Sequence, residues 1–262
     1  MTPHSLVDCR LWVTRPAAQQ PQMVEAIEHR GGVAVSMPLI AIAAPDTAIE
    51  SQVRLDHVSA VDLFVFVSAN AVSALVKSVQ RAGLVLPTES RAGAVGSATA
   101  KKCRDHGLNV AFTPHTDMSS EGLISELVSE NWSGKTIWIC GGQVGRTLLQ
   151  DTLKSWGARI NYVQCYQRVH NIPDLKASEF DRIGEFKYEF LHLPSAFSAR
   201  TLSMWSESEP RVQRLCRNSV LIATSRRVAS ESAVLNFQDV SISSDPTDYG
   251  ILKCAESYIR RT

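Results

Sequence analysis

Seven short stretches place hydroxyl, amide and glycine residues at junctions between apolar runs and helical patterns. They are Thr14-Arg15, Ser68-Ala69-Asn70, Gly96-Ser97-Ala98-Thr99, Ser119-Ser120, Gly141-Gly142, Pro194-Ser195 and Thr224-Ser225. Such residues suit anion binding, because hydroxyl and amide groups donate hydrogen bonds and helix starts expose unsatisfied backbone N–H groups. Arg15, Lys101-Lys102, Arg146, Arg168, Arg200 and Arg226-Arg227 lie at or just beyond the junctions. A ring of donors and cations of this kind fits a ligand that carries several carboxylates. The competing reading is plainer: the hydroxyls only cap helices, and the cations are solvated charges on helix faces.

Several familiar chemistries are excluded. In Gly141-Gly142-Gln143-Val144-Gly145-Arg146-Thr147 three residues separate Gly141 from Gly145, and Arg follows. A phosphate loop needs four residues and then Lys. No G-x-G-x-x-G opens a helix after a strand, so a dinucleotide site has no support. Ser195 lies near His192, but the G-x-S-x-G elbow of a hydrolase nucleophile is missing. The histidines and six cysteines show no metal-ligand spacing, so no metal is expected.

Charge narrows the partners. Lys and Arg total 27 and Asp and Glu total 26, leaving no basic excess for gripping a nucleic acid backbone. No apolar run is long enough to span a membrane, and residues 1–10 show no secretory signal. The cysteines read as buried or free thiols of a reducing, cytoplasmic setting.

The elements that must position these junctions repeat. Trp12 aligns with Trp138 and Gly31 with Gly157; Ser68 aligns with Ser195, Ala98-Thr99 with Ala223-Thr224 and Gly122 with Gly250, all at an offset of roughly 126. Each copy alternates strand and helix. Leu63–Val67 is a continuous apolar run, expected as a strand buried on both faces. Val72, Leu75, Val76 and Val79 then follow at helical spacing. Thr14 is expected to cap the first helix, with Pro16 in its first turn, Gly31-Gly32 ending it, and Val33–Leu39 forming the next strand. The pattern predicts an α/β protein of two similar domains, each a parallel sheet flanked by helices, with ligand bound beyond the carboxyl ends of the strands.

The chain resembles the uroporphyrinogen-III synthase family over nearly its whole length. The matching residues are Val13-Thr14-Arg15-Pro16, Pro38, Phe66–Val72, Ala94–Ala100, Ser119–Leu123, Cys140-Gly141-Gly142 with Gly145-Arg146 and Leu149, and Tyr166-Gln167-Arg168. The Gly-x-x-Thr loop loses its glycine in the second copy, which reads Ile222-Ala223-Thr224-Ser225. Pro194-Ser195 stands where a Thr/Ser-Ser pair is common in the family.

The resemblance implies a discontinuous domain (1–38 with 172–262), a second domain (45–164), connectors at 39–44 and 165–171, and a cleft between the domains. It implies a cyclising hydro-lyase without cofactor. Hydroxymethylbilane would lose water, close into uroporphyrinogen III and invert ring D through a spiro intermediate. Tyr166 matches the family's tyrosine and would assist the leaving hydroxyl. Thr14, Arg15, Ser68, Asn70, Ser97, Thr99, Ser119, Ser120, Gly142, Arg146, Ser195, Thr224 and Ser225 would hold the substrate. The substrate could arrive by transfer from hydroxymethylbilane synthase; nucleic acid and membrane are not expected partners. The alternative is a two-domain protein that binds an anionic small molecule without turnover, since fold does not fix function. A nucleotide-using transferase is a weaker third reading.

Overall fold

The structure is a computed structural model that describes residues 4–87, 90–143 and 147–262. In chain order its strands are β1 (Cys9–Val13), β2 (Val33–Ser36), β3 (Ile40–Ala43), β4 (Leu63–Phe66), β5 (Arg91–Ala94) and β6 (Asn109–Phe112). They continue as β7 (Thr136–Gly141), β8 (Arg159–Gln164), β9 (Gln167–His170), β10 (Tyr188–Leu193), β11 (Val220–Ala223) and β12 (Asp239–Ile242). The helices are α1 (Pro21–Glu28), α2 (Ile49–Gln52), α3 (Ala69–Arg81), α4 (Ser97–Asp105), α5 (Ser120–Leu127) and α6 (Leu148–Ser155). Then come α7 (Ala177–Asp181), α8 (Ala196–Ser208), α9 (Pro210–Asn218), α10 (Arg226–Glu231) and α11 (Asp248–Ile259).

The chain divides into two units. One comprises the residues up to Ala41 together with Val169–Thr262; the other is Ile42–Arg168. The two strands that cross the boundary, β3 and β9, pair as a two-stranded sheet.

In the first unit the sheet order is β12-β11-β10-β1-β2, and every pairing is parallel. Strand alternation sends Trp12, Leu191 and Leu193 to one face, against Leu202 of α8 and Leu215 of α9. Leu11, Val13, Phe190 and Ile222 point to the other, against Met23 and Ile27 of α1 and Ile251 of α11. The second unit has the order β6-β5-β4-β7-β8, again all parallel. There Phe64 and Phe66 pack with Val72, Leu75 and Val79 of α3, while Leu63 and Val65 pack with Leu123 of α5 and Leu153 of α6. Leu63–Phe66 are thus buried on both faces because helices cover both, while Val67, expected in the strand, is half-buried and begins the following loop.

Both units therefore have one strand order, with β10, β11, β12, β1 and β2 standing where β4, β5, β6, β7 and β8 stand. Gly31 and Gly157 occupy the same turn in each, at φ of +79° and +84°, the left-handed region that glycine enters without strain.

Four local expectations are corrected. Thr14 does not cap a helix; its hydroxyl donates to the His192 carbonyl at 2.6 Å. Pro16 is not in the first turn of α1, which begins instead at Pro21, after a 3-10 turn at Ala17–Gln19. Either proline could start a helix, but the Gln20 amide bonds the Val13 and Arg15 carbonyls and holds the intervening segment as a loop. The strand expected over 33–39 stops at Ser36, and the chain re-enters extended structure only at Ile40. The Met37 and Leu39 N–H groups still donate to the Val13 and Thr14 carbonyls, so the chain stays tied to β1 beyond the end of the regular strand, and Pro38 between them is tolerated at this sheet edge.

The fourth correction concerns the repeat. Ala223 ends β11 as Ala94 ends β5, and Ser225 caps α10 as Gly96 caps α4. Thr224 is therefore the counterpart of Val95, not of Thr99. Letter identity misled here; strand ends and caps set the register.

Candidate functional site

In an open parallel sheet the strand order reverses at a switch point, and the loops beyond the carboxyl ends there diverge to leave a crevice. In the second unit that point lies between β4 and β7. The loop after β4 starts with Val67-Ser68, and the loop after β7 starts with Gly142.

Ser68 caps α3: its Oγ accepts from the Ala71 N–H at 3.3 Å. The same hydroxyl donates to the Tyr166 phenol oxygen at 3.1 Å. Tyr166 follows β8, and the Cys165 N–H anchors its backbone to the Gly141 carbonyl at 2.7 Å. The Tyr166 ring lies against Gly142, where a Cβ would sit 3.0 Å from Cζ. The phenol oxygen accepts from Ser68, so its own O–H remains available to a ligand.

Sequence reasoning missed Tyr162. Its phenol donates to the Gly142 carbonyl at 2.8 Å, and burial, with the neighbouring Tyr166, Cys165 and Cys140, pushes its pKa up to about 12. Tyr162 is therefore a fixed neutral donor that holds the loop behind Tyr166. A Cβ on Gly141 would come within 2.5 Å of the Tyr162 oxygen and 2.8 Å of Val67 Cγ2. The signal in the chain was Gly141-Gly142 itself: paired glycines at a strand end mark a close approach by something else.

The other expected site residues of this unit are dispersed. Ser119 caps α5 through the Gly122 N–H at 3.1 Å, and Ser120 is the first residue of that helix. Ser97 opens α4, whose cap is Gly96, and Thr99 is buried within the helix. Among the described residues no hydrogen bond joins these four to the Ser68–Tyr166 pair. Asn70, in the first turn of α3, lines a groove that also reaches Tyr166. Arg146 lies outside the described residues.

In the first unit the switch point lies between β10 and β1. Ser195 caps α8 in a capping box with Ser198, and Ser225 caps α10 through the Val228 N–H at 3.3 Å. Thr224 donates to the Pro194 carbonyl at 3.0 Å. Thr14 bridges β1 to β10 through the His192 carbonyl. Arg15 is ion-paired with Asp248 and also donates to the Pro246 carbonyl at 2.7 Å. The His192 side chain is fully buried, and neither ring nitrogen has a hydrogen-bond partner. Burial, and then the nearby Arg15 charge, lower its pKa to about 3. His192 is neutral at physiological pH.

The expected ring of free cations is only partly present. Lys101 pairs with Asp105, Arg200 lies 3.5 Å from Glu231, and Arg15 is held by Asp248.

Among the described residues no group of three or more His, Cys, Asp or Glu could hold a metal ion, and no helix is long and apolar enough to cross a membrane. All six cysteines are free.

The family model for uroporphyrinogen-III synthase HemD matches residues 21–253. A uroporphyrinogen-III synthase of Salmonella typhimurium is 27% identical over 245 residues, 93% of this chain and 98% of the relative. One from Escherichia coli K12 is 28% identical over 156 residues, 60% of this chain and 63% of the relative. The fold matches uroporphyrinogen-III synthetase of Helicobacter pylori with a TM-score of 0.59 at 18% identity, covering 95% of this chain and 98% of that one. A mutant uroporphyrinogen III synthase of Thermus thermophilus gives a TM-score of 0.56 at 16% identity, covering 97% and 99%.

Proposed function

Because the chain belongs to the uroporphyrinogen-III synthase family, we propose that it closes hydroxymethylbilane to uroporphyrinogen III as a cyclising hydro-lyase. The observation that carries this reading is the Tyr166 phenol at the β4/β7 switch point, where Ser68 donates to its oxygen and leaves its proton for a ligand.

The terminal hydroxyl of the linear tetrapyrrole must leave as water, so the C–O bond breaks as a proton arrives on oxygen. Tyr166 supplies or shares that proton. Such assistance is worth about 10²–10⁴-fold. The new carbon–carbon bond to ring D then closes the macrocycle, with ring inversion through a spiro intermediate. Closure without guidance yields the type I isomer, so positioning matters as much as acid assistance. In this reading Ser68 and Gly142 frame the reacting end. Asn70, Ser97, Ser119, Ser120, Ser195 and Ser225, with the helix starts they border, receive substrate carboxylates; Thr14 and Thr224 give their hydroxyl protons to carbonyls, Arg15 is held by Asp248 and Thr99 is buried, so these four shape the loops around the substrate. The substrate comes from the enzyme that assembles the linear tetrapyrrole. Six free thiols suit a reducing cytoplasm.

The test is to feed freshly generated hydroxymethylbilane to the purified protein, oxidise the product and separate the isomers by chromatography. Predominantly type III product, without added metal or nucleotide, supports the reading. Type I alone, at the blank rate, overturns it and favours a binding protein.

A further inference from the structure

A groove of about 480 Å³ lies within the second unit, between α3 and residues 42–50. Its volume falls in the range of small-molecule sites. Asn70, Lys77 and Arg81 contribute one wall, from the first turn of α3 to its last residue, a span of about 16 Å at the helical rise. Asp46 and Glu50 contribute to the facing wall, and Tyr166 closes the end near the Ser68 cap. The apolar side chains of Ala74 and Ile49 also line it.

The charges are sorted by wall, and they are largely free. Lys77, Arg81 and Glu50 have no ion-pair partner among the described residues, whereas Asp46 accepts from the Gln167 amide at 2.8 Å. A site for a simple anion would not face its cations with carboxylates, and a site for a cation would not carry Lys77 and Arg81. The groove instead fits a ligand with anions on one edge and a hydrogen-bond donor on the other. A pyrrole ring bearing acetate and propionate has that character: its N–H and its substituted carbons lie on opposite edges, and its flat faces are apolar.

On the functional reading above, we propose that this groove is a subsite for one pyrrole ring of the substrate. Lys77 and Arg81 take its carboxylates, and Glu50 accepts from its ring N–H. The ring then occupies the same groove whose end Tyr166 closes. The inference adds residues that neither the motifs nor the helix caps pointed to.

The test combines steady-state kinetics with equilibrium binding. Lys77, Arg81 and Glu50 are exposed, so their variants should keep the wild-type melting temperature. Lys77→Gln/Arg81→Gln should raise KM about tenfold, the scale of two exposed charge contacts, while kcat and the type III fraction stay within about twofold. Glu50→Ala is the discriminating variant. Removing an acid from a site that merely attracts anions would lower KM; here it should raise KM about threefold. An unchanged KM in the double variant, or a lowered KM in Glu50→Ala, overturns the subsite. In parallel, a monopyrrole bearing one acetate and one propionate is titrated against isotope-labelled protein. It should shift the Asn70 and Lys77 amide resonances in wild type and not in the double variant. If wild type forms no type III product, the functional reading falls, and this titration alone decides the subsite: no shift at the groove overturns it.

Discussion

At the switch point of the second unit, between β4 and β7, a tyrosine and a glycine loop meet around a helix cap. At the matching point of the first unit, between β10 and β1, the same strand order is closed by Thr14, whose hydroxyl bridges to β10 at the His192 carbonyl. Both sites have a serine cap on a 13-residue helix, Ser68 on α3 and Ser195 on α8. The difference lies in what the cap serine does next. Ser68 donates to the Tyr166 phenol. Ser195 turns inward to its own capping box with Ser198. One fold thus supports a reactive-looking end in one unit and a sealed end in the other, and a few side chains decide which.

The sealed end contains a cost. His192 shares the face of Phe190 on β10 and is buried without a hydrogen bond to either nitrogen. Its neutral form tolerates this; its cation does not.

The comparison can be broken at several points. The largest expected stability effect comes from Gly141→Ala. The added Cβ would meet the Tyr162 oxygen and Val67, so unfolding free energy should fall by about 1–3 kcal/mol, the usual cost of overpacking. Denaturant titration measures it, and an unchanged midpoint would refute the close approach of Tyr162 to that loop.

Next is the pH dependence of stability. His192 has a folded pKa of about 3, and an unfolded histidine has one near 6.5. Between those values the unfolded chain binds more protons than the folded one, so stability falls as pH falls. Its share of the loss between pH 7 and 5 should be roughly 2 kcal/mol. His192→Val should flatten the acid limb of a melting-temperature profile by that amount. An equally steep profile in the variant would show that the imidazole is not the group responsible.

The smallest effect is the most specific to the comparison. Ser68→Ala and Ser195→Ala each remove a helix cap and should each cost about 1 kcal/mol. Only Ser68→Ala should also slow turnover, by several-fold, because only Ser68 touches Tyr166. Equal turnover in the two variants would erase the functional difference between the switch points.

Much of this architecture is legible in the chain. The run 63–67 reads as a doubly covered strand because all its residues are apolar, and α3 declares itself by Val72, Leu75, Val76 and Val79. Ser68 and Ser195 read as equivalent caps because each follows an apolar strand directly. Elsewhere the signal is weak or points astray. β12 (Asp239–Ile242) is an edge strand with exposed Val240 and Ile242, so its composition lacks the buried pattern. Helix α9 carries Val212, Leu215 and Cys216 at helical spacing after Pro210, but its arginines dilute the apolar signal. Tyr162 and His192 were invisible as partners of the site. Their roles depend on cross-strand register, Ile139 beside Tyr162 and Val13 beside His192, which no local pattern encodes. The register of Thr224 was misread because a shared Ala-Thr pair outweighed the strand end.

The most direct test compares two tyrosines that both pack on the Gly141-Gly142 loop. Tyr162 donates its proton to the Gly142 carbonyl; Tyr166 accepts from Ser68, which leaves its own O–H uncommitted. Single-turnover formation of type III product should be measured for Tyr166→Phe and Tyr162→Phe beside wild type. The account predicts a loss of about 10²-fold or more for Tyr166→Phe, and a much smaller change, with lowered stability, for Tyr162→Phe. Wild-type rates in Tyr166→Phe, or equal losses in the two variants, would contradict it.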